Sequence, residues 1–303
     1  MPDAYPRDMI GYGRTPPQAN WPGNARIALS VVLNYEEGAE NSILHGDAHA
    51  ESILTEVAGL TPLMGQREVN VESMYEYGSR AGFWRIMRII AGRQVPISVY
   101  VCGMALERNP EAAAAIVEAG HEVVSHGWRW IDYFNLPEAV EREYMRINIE
   151  SIRKLCGERP LGWYTGRPSN NTRRLVVEEG GFLYDSDGYA DDLPYWENVA
   201  GKGHLIVPHA FDNNDSKLIH TNGFGNGEEY FAYLRDQFDV LYAEGADTPK
   251  MMTMSLHCRL VGRPGRSLAL ERFLDHALAH DRVWFARRRD IARHWIATHP
   301  YRG

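Results

Sequence analysis

From Arg26 onward, short apolar runs rich in β-branched residues alternate with helical patterns. That alternation restricts the chain to parallel strands covered by helices. The stretch "IALSVVLNY" (27–35) is apolar almost throughout, as a strand buried on both faces should be. "PISVYVC" (96–102), "EVVSH" (122–126), "LGWYTGRP" (161–168), "FLYDSD" (182–187), "HLIVPHA" (204–210) and "KMMTMSLHC" (250–258) continue the series. Between them lie helical segments. Asn109 suits a helix cap, Pro110 the first helical position and Gly120 the stop. Long amphipathic patterns cover 136–157, 228–245, 267–281 and 289–299. With about seven strand–helix repeats, a closed or nearly closed barrel is the economical arrangement. Residues 1–24, rich in Pro, Gly and Asn, read as an irregular arm, and 25–303 as one domain.

A chain of 303 residues with 44% hydrophobic and 24% charged residues has the make-up of a globular protein with a large core. The net charge of −8 argues against a nucleic-acid partner, and no apolar run approaches membrane-spanning length. Three widely spaced cysteines form neither a disulfide framework nor a zinc pattern. "MPDAYPRDMIGYG" has no basic or apolar leader region, so a cytoplasmic location is expected. The glycosylation patterns at Asn170 and Asn214 carry no weight in that setting.

The ends of the expected strands are chemically dense. Glu36 and Glu37 follow the first, His126 ends the third and Arg167 the fourth. Asp185 and Asp187 lie on the fifth, and His257 ends the "KMMTMSLHC" strand. In a parallel barrel the C-terminal strand ends converge on one face, where active sites form. Each residue alone has an ordinary structural reading; their repeated placement at strand ends points to a site.

The order NYEEG, SHGWRW, GRPSNN, YDSDGYADD and SLHC resembles the polysaccharide deacetylase (NodB-homology) superfamily. The resemblance spans Ile27 to His257. It implies a distorted (β/α) barrel that hydrolyses acetamido groups. It also implies roles: Glu36 in the catalytic-base position, Glu37 in that of a carboxylate ligand, and His126 as the first metal histidine. Arg167 would orient the base, Asp185 or Asp187 would fill the fourth motif, and His257 would be the general acid. The second metal histidine should stand four residues after His126, where this chain has Trp130, and an indole offers only an N–H donor. Both aspartates of the usual first motif are glutamates. Catalytic zinc usually keeps three protein ligands, so neither a metal nor another cofactor is expected.

With Glu36, Arg167 and His257 kept, the combination is similar to the cofactor-independent allantoinase subgroup, which opens the hydantoin ring of allantoin to allantoate in purine degradation. Glu36, His257 and Arg167 are then the expected catalytic residues. Glu37, His126, Trp130 and Asp187 are expected to contact the substrate. The resemblance implies a small-molecule substrate and a homo-oligomer, with no nucleic-acid or membrane partner. The main alternative is a metal-dependent N-deacetylase using Glu37, His126 and a nonstandard third ligand. A catalytically dead binding scaffold is the non-enzyme alternative. The pairs His45/His49 and His276/His280 have metal-like spacing but no third ligand on their own elements. "GFGNGEE" (223–229) matches no phosphate-loop fingerprint.

Overall fold

The computed structural model describes residues 7–303; residues 1–6, the start of the expected arm, lie outside the described residues. Nine strands form one curled sheet: β1 Ile27–Tyr35, β2 Ser98–Val101, β3 Glu122–Ser125, β4 Gly162–Trp163, β5 Tyr184–Asp185, β6 Tyr195–Val199, β7 Lys202–Ile206, β8 Lys250–His257 and β9 Val283–Phe285. The order is β6-β7-β5-β4-β3-β2-β1-β8, with β9 also pairing with β1. The run from β7 to β8 is parallel throughout, whereas β6 is antiparallel to β7. The fold is a single-domain α/β half-barrel, a distorted relative of the eight-stranded barrel. All nine residues of β1 are buried, as expected of a central strand with parallel neighbours on both edges.

Side chains alternate along a strand, so every second residue of β1 and β8 shares a face. Asn34 and Ser255, one on each strand, meet: the Asn34 amide donates to Ser255 Oγ at 3.0 Å and to the Leu256 carbonyl at 2.8 Å. Val32, Tyr100, Val124 and Tyr164 form a small separate cluster. The larger core lies between sheet and helices. A second core gathers Trp21, Leu205, Met251 and Trp295, where the Trp21 indole donates to the Lys250 carbonyl at 2.9 Å. Of the N-terminal arm, residues 7–24, the only helical turn is the 3-10 turn Pro22–Asn24.

The apolar pattern locates the strands but overstates some lengths. β4 and β5 keep two residues each, and "HLIVPHA" enters a hairpin, β6–β7, whose first strand is half-exposed and reads as loop. The helices Val69–Tyr77 and Phe83–Arg93, joined through the π-helical stretch Gly78–Gly82, fill a region that the sequence pattern leaves unassigned. Asn109 caps its helix by accepting from the Ala112 N–H, as the sequence suggests.

Neither β6 nor β8 pairs further, so the barrel has a seam. Arg288, fully buried, ties it. Its guanidinium donates to the Val207 carbonyl, to the Pro208 carbonyl at 2.7 Å, to Thr253 Oγ1 at 2.9 Å and to Ser186 Oγ at 3.1 Å. A buried cation is tolerated only when its donors are satisfied. Arg288→Met is therefore expected to cost about 3 kcal/mol or more. This would appear as a lowered urea midpoint in equilibrium unfolding. An unchanged midpoint would show that the seam holds without it.

Candidate active site

The parallel register brings three strand ends level. Asn34 of β1 lies opposite His257 of β8, and Tyr35 opposite Val101 of β2, which in turn pairs with Ser125 of β3. The next residues, Glu36 and His126, therefore leave the sheet beside His257. Gly127, at φ +74°, turns the chain directly after His126; a Cβ there would meet Tyr133 Oη at 2.5 Å.

Glu36 is 1% exposed and fully engaged. Its Oε1 lies 3.2 Å from His126 Nε2 and 3.4 Å from His257 Nε2, and its Oε2 accepts from Arg259 Nη2 at 2.8 Å. The other face of His257 is held by Asp215, whose Oδ1 lies 2.6 Å from Nδ1. Asp215 Oδ2 accepts the backbone N–H groups of His257 and Val261 at 2.8 and 3.0 Å. His126 Nδ1 lies 3.3 Å from the Tyr164 carbonyl.

These contacts set the charge states. Burial pushes Glu36 upward, but the charges of His257 and Arg259 and the hydrogen bonds from both histidines outweigh it, holding the carboxyl well below its usual range. Burial opposes the charged form of His257, yet Glu36 and Asp215 raise the imidazole to about 9. Glu37 is pushed up by burial and by Glu36, against the pull of Arg259. A nearly neutral pair results: an ionised carboxylate beside a protonated imidazole.

Arg259 is the main residue that the sequence reading missed. It is 1% exposed, and its guanidinium reaches Glu37 Oε1 at 3.3 Å as well as Glu36. It also lies over the rings of Tyr75 and Trp130, at 4.1 and 5.1 Å from their centroids. Gly78 makes room for this arrangement, because a Cβ there would fall 2.2 Å from Glu37 Oε1. Arg259 stands one residue beyond the SLHC string, so the charge beside the motif was its only signal. Asp215 gave none beyond an acidic residue in a polar loop.

The expectation that Arg167 orients Glu36 is corrected: the cation on Glu36 is Arg259. Among the described residues Arg167 makes no ion pair. Its guanidinium stacks 4.5 Å from the Trp130 centroid, and its Nη2 is buried without a hydrogen-bond partner. Trp130 is 7% exposed and packs beneath both guanidiniums. Asp185 and Asp187 separate clearly. Asp185 ties Arg173 and His204 together, at 2.9 and 3.1 Å. Asp187 accepts from the Thr165 and Gly166 N–H groups at 2.8 and 2.7 Å, fixing the loop that carries Arg167. Burial and the charge of Asp185 raise Asp187 to about 7.

The family's usual metal does not fit this donor set. The Glu37 carboxylate already faces the Arg259 guanidinium, His126 Nε2 faces Glu36, and Trp130 offers no lone pair. Among the described residues, one group of three His, Cys, Asp or Glu side chains brings its ligand atoms within 4.8 Å of one another: Asp239, His276 and His280. Asp239 and His276 lie late in the helices Gly227–Glu244 and Pro264–Leu278 and His280 just beyond the second, and Asp239 Oδ1 already hydrogen-bonds His276 Nε2 at 2.7 Å. His45 and His49 acquire no such third partner.

Two clefts bear on the centre, one through His209 and the other through Glu37. One, of about 450 Å³, is lined by Tyr189, His209, Phe211, Gln237 and Thr253. The other, of about 400 Å³, is lined by Glu37, Glu40, Tyr75 and Arg108. Among the described residues no helix is long and apolar enough to cross a membrane.

A half-barrel with acid–base groups at its strand ends has the layout of a hydrolytic site, and comparison with known proteins gives the family. The chain belongs to the polysaccharide deacetylase family: the family model described as polysaccharide deacetylase matches residues 65–182. A Schizosaccharomyces pombe protein carrying a polysaccharide deacetylase name is 44% identical over 98% of both chains. A solved Pseudomonas aeruginosa structure also carrying a polysaccharide deacetylase name is 57% identical, with a TM-score of 0.96 over 98% of this chain and 100% of that one. A crystal structure of Puue allantoinase is likewise 57% identical, with a TM-score of 0.97 over 99% of this chain and 100% of that one.

The geometry around His257 gives a direct test. A raised imidazole keeps its proton up to about 9; the stabilisation its partners give is full below its ordinary pKa of 6.5 and is lost as pH rises through about 9. NMR titration is expected to give a midpoint near 9 for His257, falling toward 6.5 in Asp215→Asn. A midpoint near 6.5 in the wild-type protein would contradict the arrangement.

Proposed function

We propose that the protein hydrolyses a cyclic amide, opening the hydantoin ring of allantoin to allantoate. The observation that carries this reading is the Arg259 guanidinium set between Glu36 and Glu37, where the family's chemistry would use a metal. The similarity to Puue allantoinase over nearly the whole chain supports the same substrate.

Glu36 takes a proton from water, whose oxygen attacks the ring carbonyl beside the ring N–H. Charge developing on that carbonyl oxygen is stabilised by cationic donors, with Arg259 the nearest to the base. The C–N bond breaks as protonated His257 donates to the leaving nitrogen, giving a carboxylic acid and a ureido N–H; the acid and Glu36 then give up their two protons, one back to His257 and one to solvent, leaving the carboxylate. Both groups hold the required protonation state around neutrality: Glu36 ionised and His257 protonated. Asp215 keeps His257 oriented through Nδ1. Arg167, with a buried unpaired Nη2, is suited to the new carboxylate, and Trp130 is the flat wall against which it stacks. Glu37 and His126 complete the shell around the base. Asp187 acts on the loop rather than on the substrate, since backbone N–H groups take both its oxygens.

The names of the other relatives favour acetamide hydrolysis, so one assay should separate the two chemistries. Allantoin turnover is expected to persist in excess chelator and to fall by about a thousandfold in Glu36→Gln. N-acetyl sugars should remain uncleaved. Failure to hydrolyse either allantoin enantiomer would sink the proposal, and loss of activity on chelation would favour the metal-dependent deacetylase.

A further inference from the structure

Four histidines are buried among the described residues: His126, His204, His209 and His257. Three are bonded to carboxylates, namely His126 to Glu36, His204 to Asp185, and His257 to Glu36 and Asp215. His209 differs. It is 4% exposed, and neither Nδ1 nor Nε2 has a hydrogen-bond partner. Its backbone N–H is fixed by the Gly188 carbonyl at 2.8 Å, so the ring is held on an ordered loop.

Its surroundings belong to the site. The His209 ring lies 4.7 Å from that of Tyr164 and 5.7 Å from that of Tyr100, and both these rings also touch His126, at 5.0 and 6.0 Å. The Tyr100 hydroxyl is likewise buried without a partner. On its other side His209 lines the 450 Å³ cleft, beside Tyr189 and Phe211. Those two rings stack 4.5 Å apart and are 45% and 48% exposed. Buried polar atoms are rarely left unpaired, because each forfeits its hydrogen bonds to water. Several together beside an acid–base centre mark the place of a ligand.

We infer that His209 is a substrate-binding residue whose imidazole hydrogen-bonds an N–H or carbonyl of the bound ring, beside the Tyr100 and Tyr164 rings that also pack on His126. The inference rests on the reading of this site as a cyclic-amide hydrolase and extends it to ligand selection. Burial, then Arg288 and the two neighbouring histidines, hold His209 well below its usual pKa. A neutral imidazole offers one donor and one acceptor, matching an uncharged ureide, which presents both.

The test compares wild type, His209→Leu and His209→Gln by calorimetric titration with hydantoin, allantoin kinetics and thermal unfolding without ligand. His209→Leu should weaken hydantoin binding and raise KM by about tenfold or more, with a smaller change in kcat. His209→Gln, which keeps a donor and an acceptor, should recover part of the loss. Because the ring nitrogens are unpaired in the free protein, His209→Leu should unfold no earlier than wild type. Wild-type affinity in His209→Leu overturns the inference. So does a lowered unfolding temperature with no recovery in His209→Gln, the signature of a purely structural histidine. If wild type binds hydantoin but leaves allantoin intact, the proposed reaction fails and the binding arm still decides the role of His209. If wild type binds no hydantoin, both fall.

Discussion

Two adjacent carboxyl groups at the end of a buried strand repel each other's charge, and a positive charge beside them decides which one ionises. In this protein the charge is the guanidinium of Arg259, bonded to Glu36 and Glu37 and covered by the rings of Tyr75 and Trp130. A guanidinium is permanently charged and its donors lie in a rigid plane, so it can hold two carboxylates in fixed relation. It cannot accept water as a ligand and acidify it, as a catalytic metal would. The proposed reaction therefore relies on a side-chain base, and the same guanidinium keeps Glu36 ionised for that role.

The fold supplies that arrangement through register. β1 and β8 pair along eight residues, so the chain direction alone delivers Glu36 and His257 side by side, and β3 delivers His126 through β2. The bond from Asn34 to Ser255 locks the same two strands just below the site. Behind His257, Asp215 arrives on the short 3-10 turn Asp215–Leu218 and uses both oxygens, one for the ring and one for the backbone. The imidazole is thus oriented by a strand, a turn and a carboxylate at once.

This explains which parts of the site were legible in the sequence. Glu36, His126 and His257 sit at the ends of strongly apolar strands, so strand periodicity and barrel geometry together imply that they meet. Arg259 and His209 lie just past the ends of β8 and β7, and Asp215 opens a short 3-10 turn, where no period relates position to direction. Arg167 shows the same limit: its location was readable, but which carboxylate it would face was not. The hairpin β6–β7 was missed for a related reason. β6 is half-exposed along its length, and a strand with no apolar face leaves no pattern. The paired helices between β1 and β2 carry an apolar face, yet no strand punctuates them, and they went unassigned although they supply Tyr75 and Gly78 to the site.

The charge balance also bears on what the site can accept. Around Glu36 two cations, Arg259 and His257, face the ionised Glu36, Asp215 lies against His257, and Glu37 is biased toward its neutral form. A buried cluster already compensated internally gains little from an incoming anion and would pay heavily to desolvate one. It can accommodate a neutral, strongly polar ring, whose dipoles meet groups already oriented. Arg167 is the exception, a cation without a carboxylate partner among the described residues, stacked on Trp130. In the proposed reaction it would acquire a counter-charge when the ring opens and a carboxylate appears. The proposed cyclic-amide hydrolysis fits such a site, because its substrate is neutral on entry and negative charge forms only as the reaction proceeds.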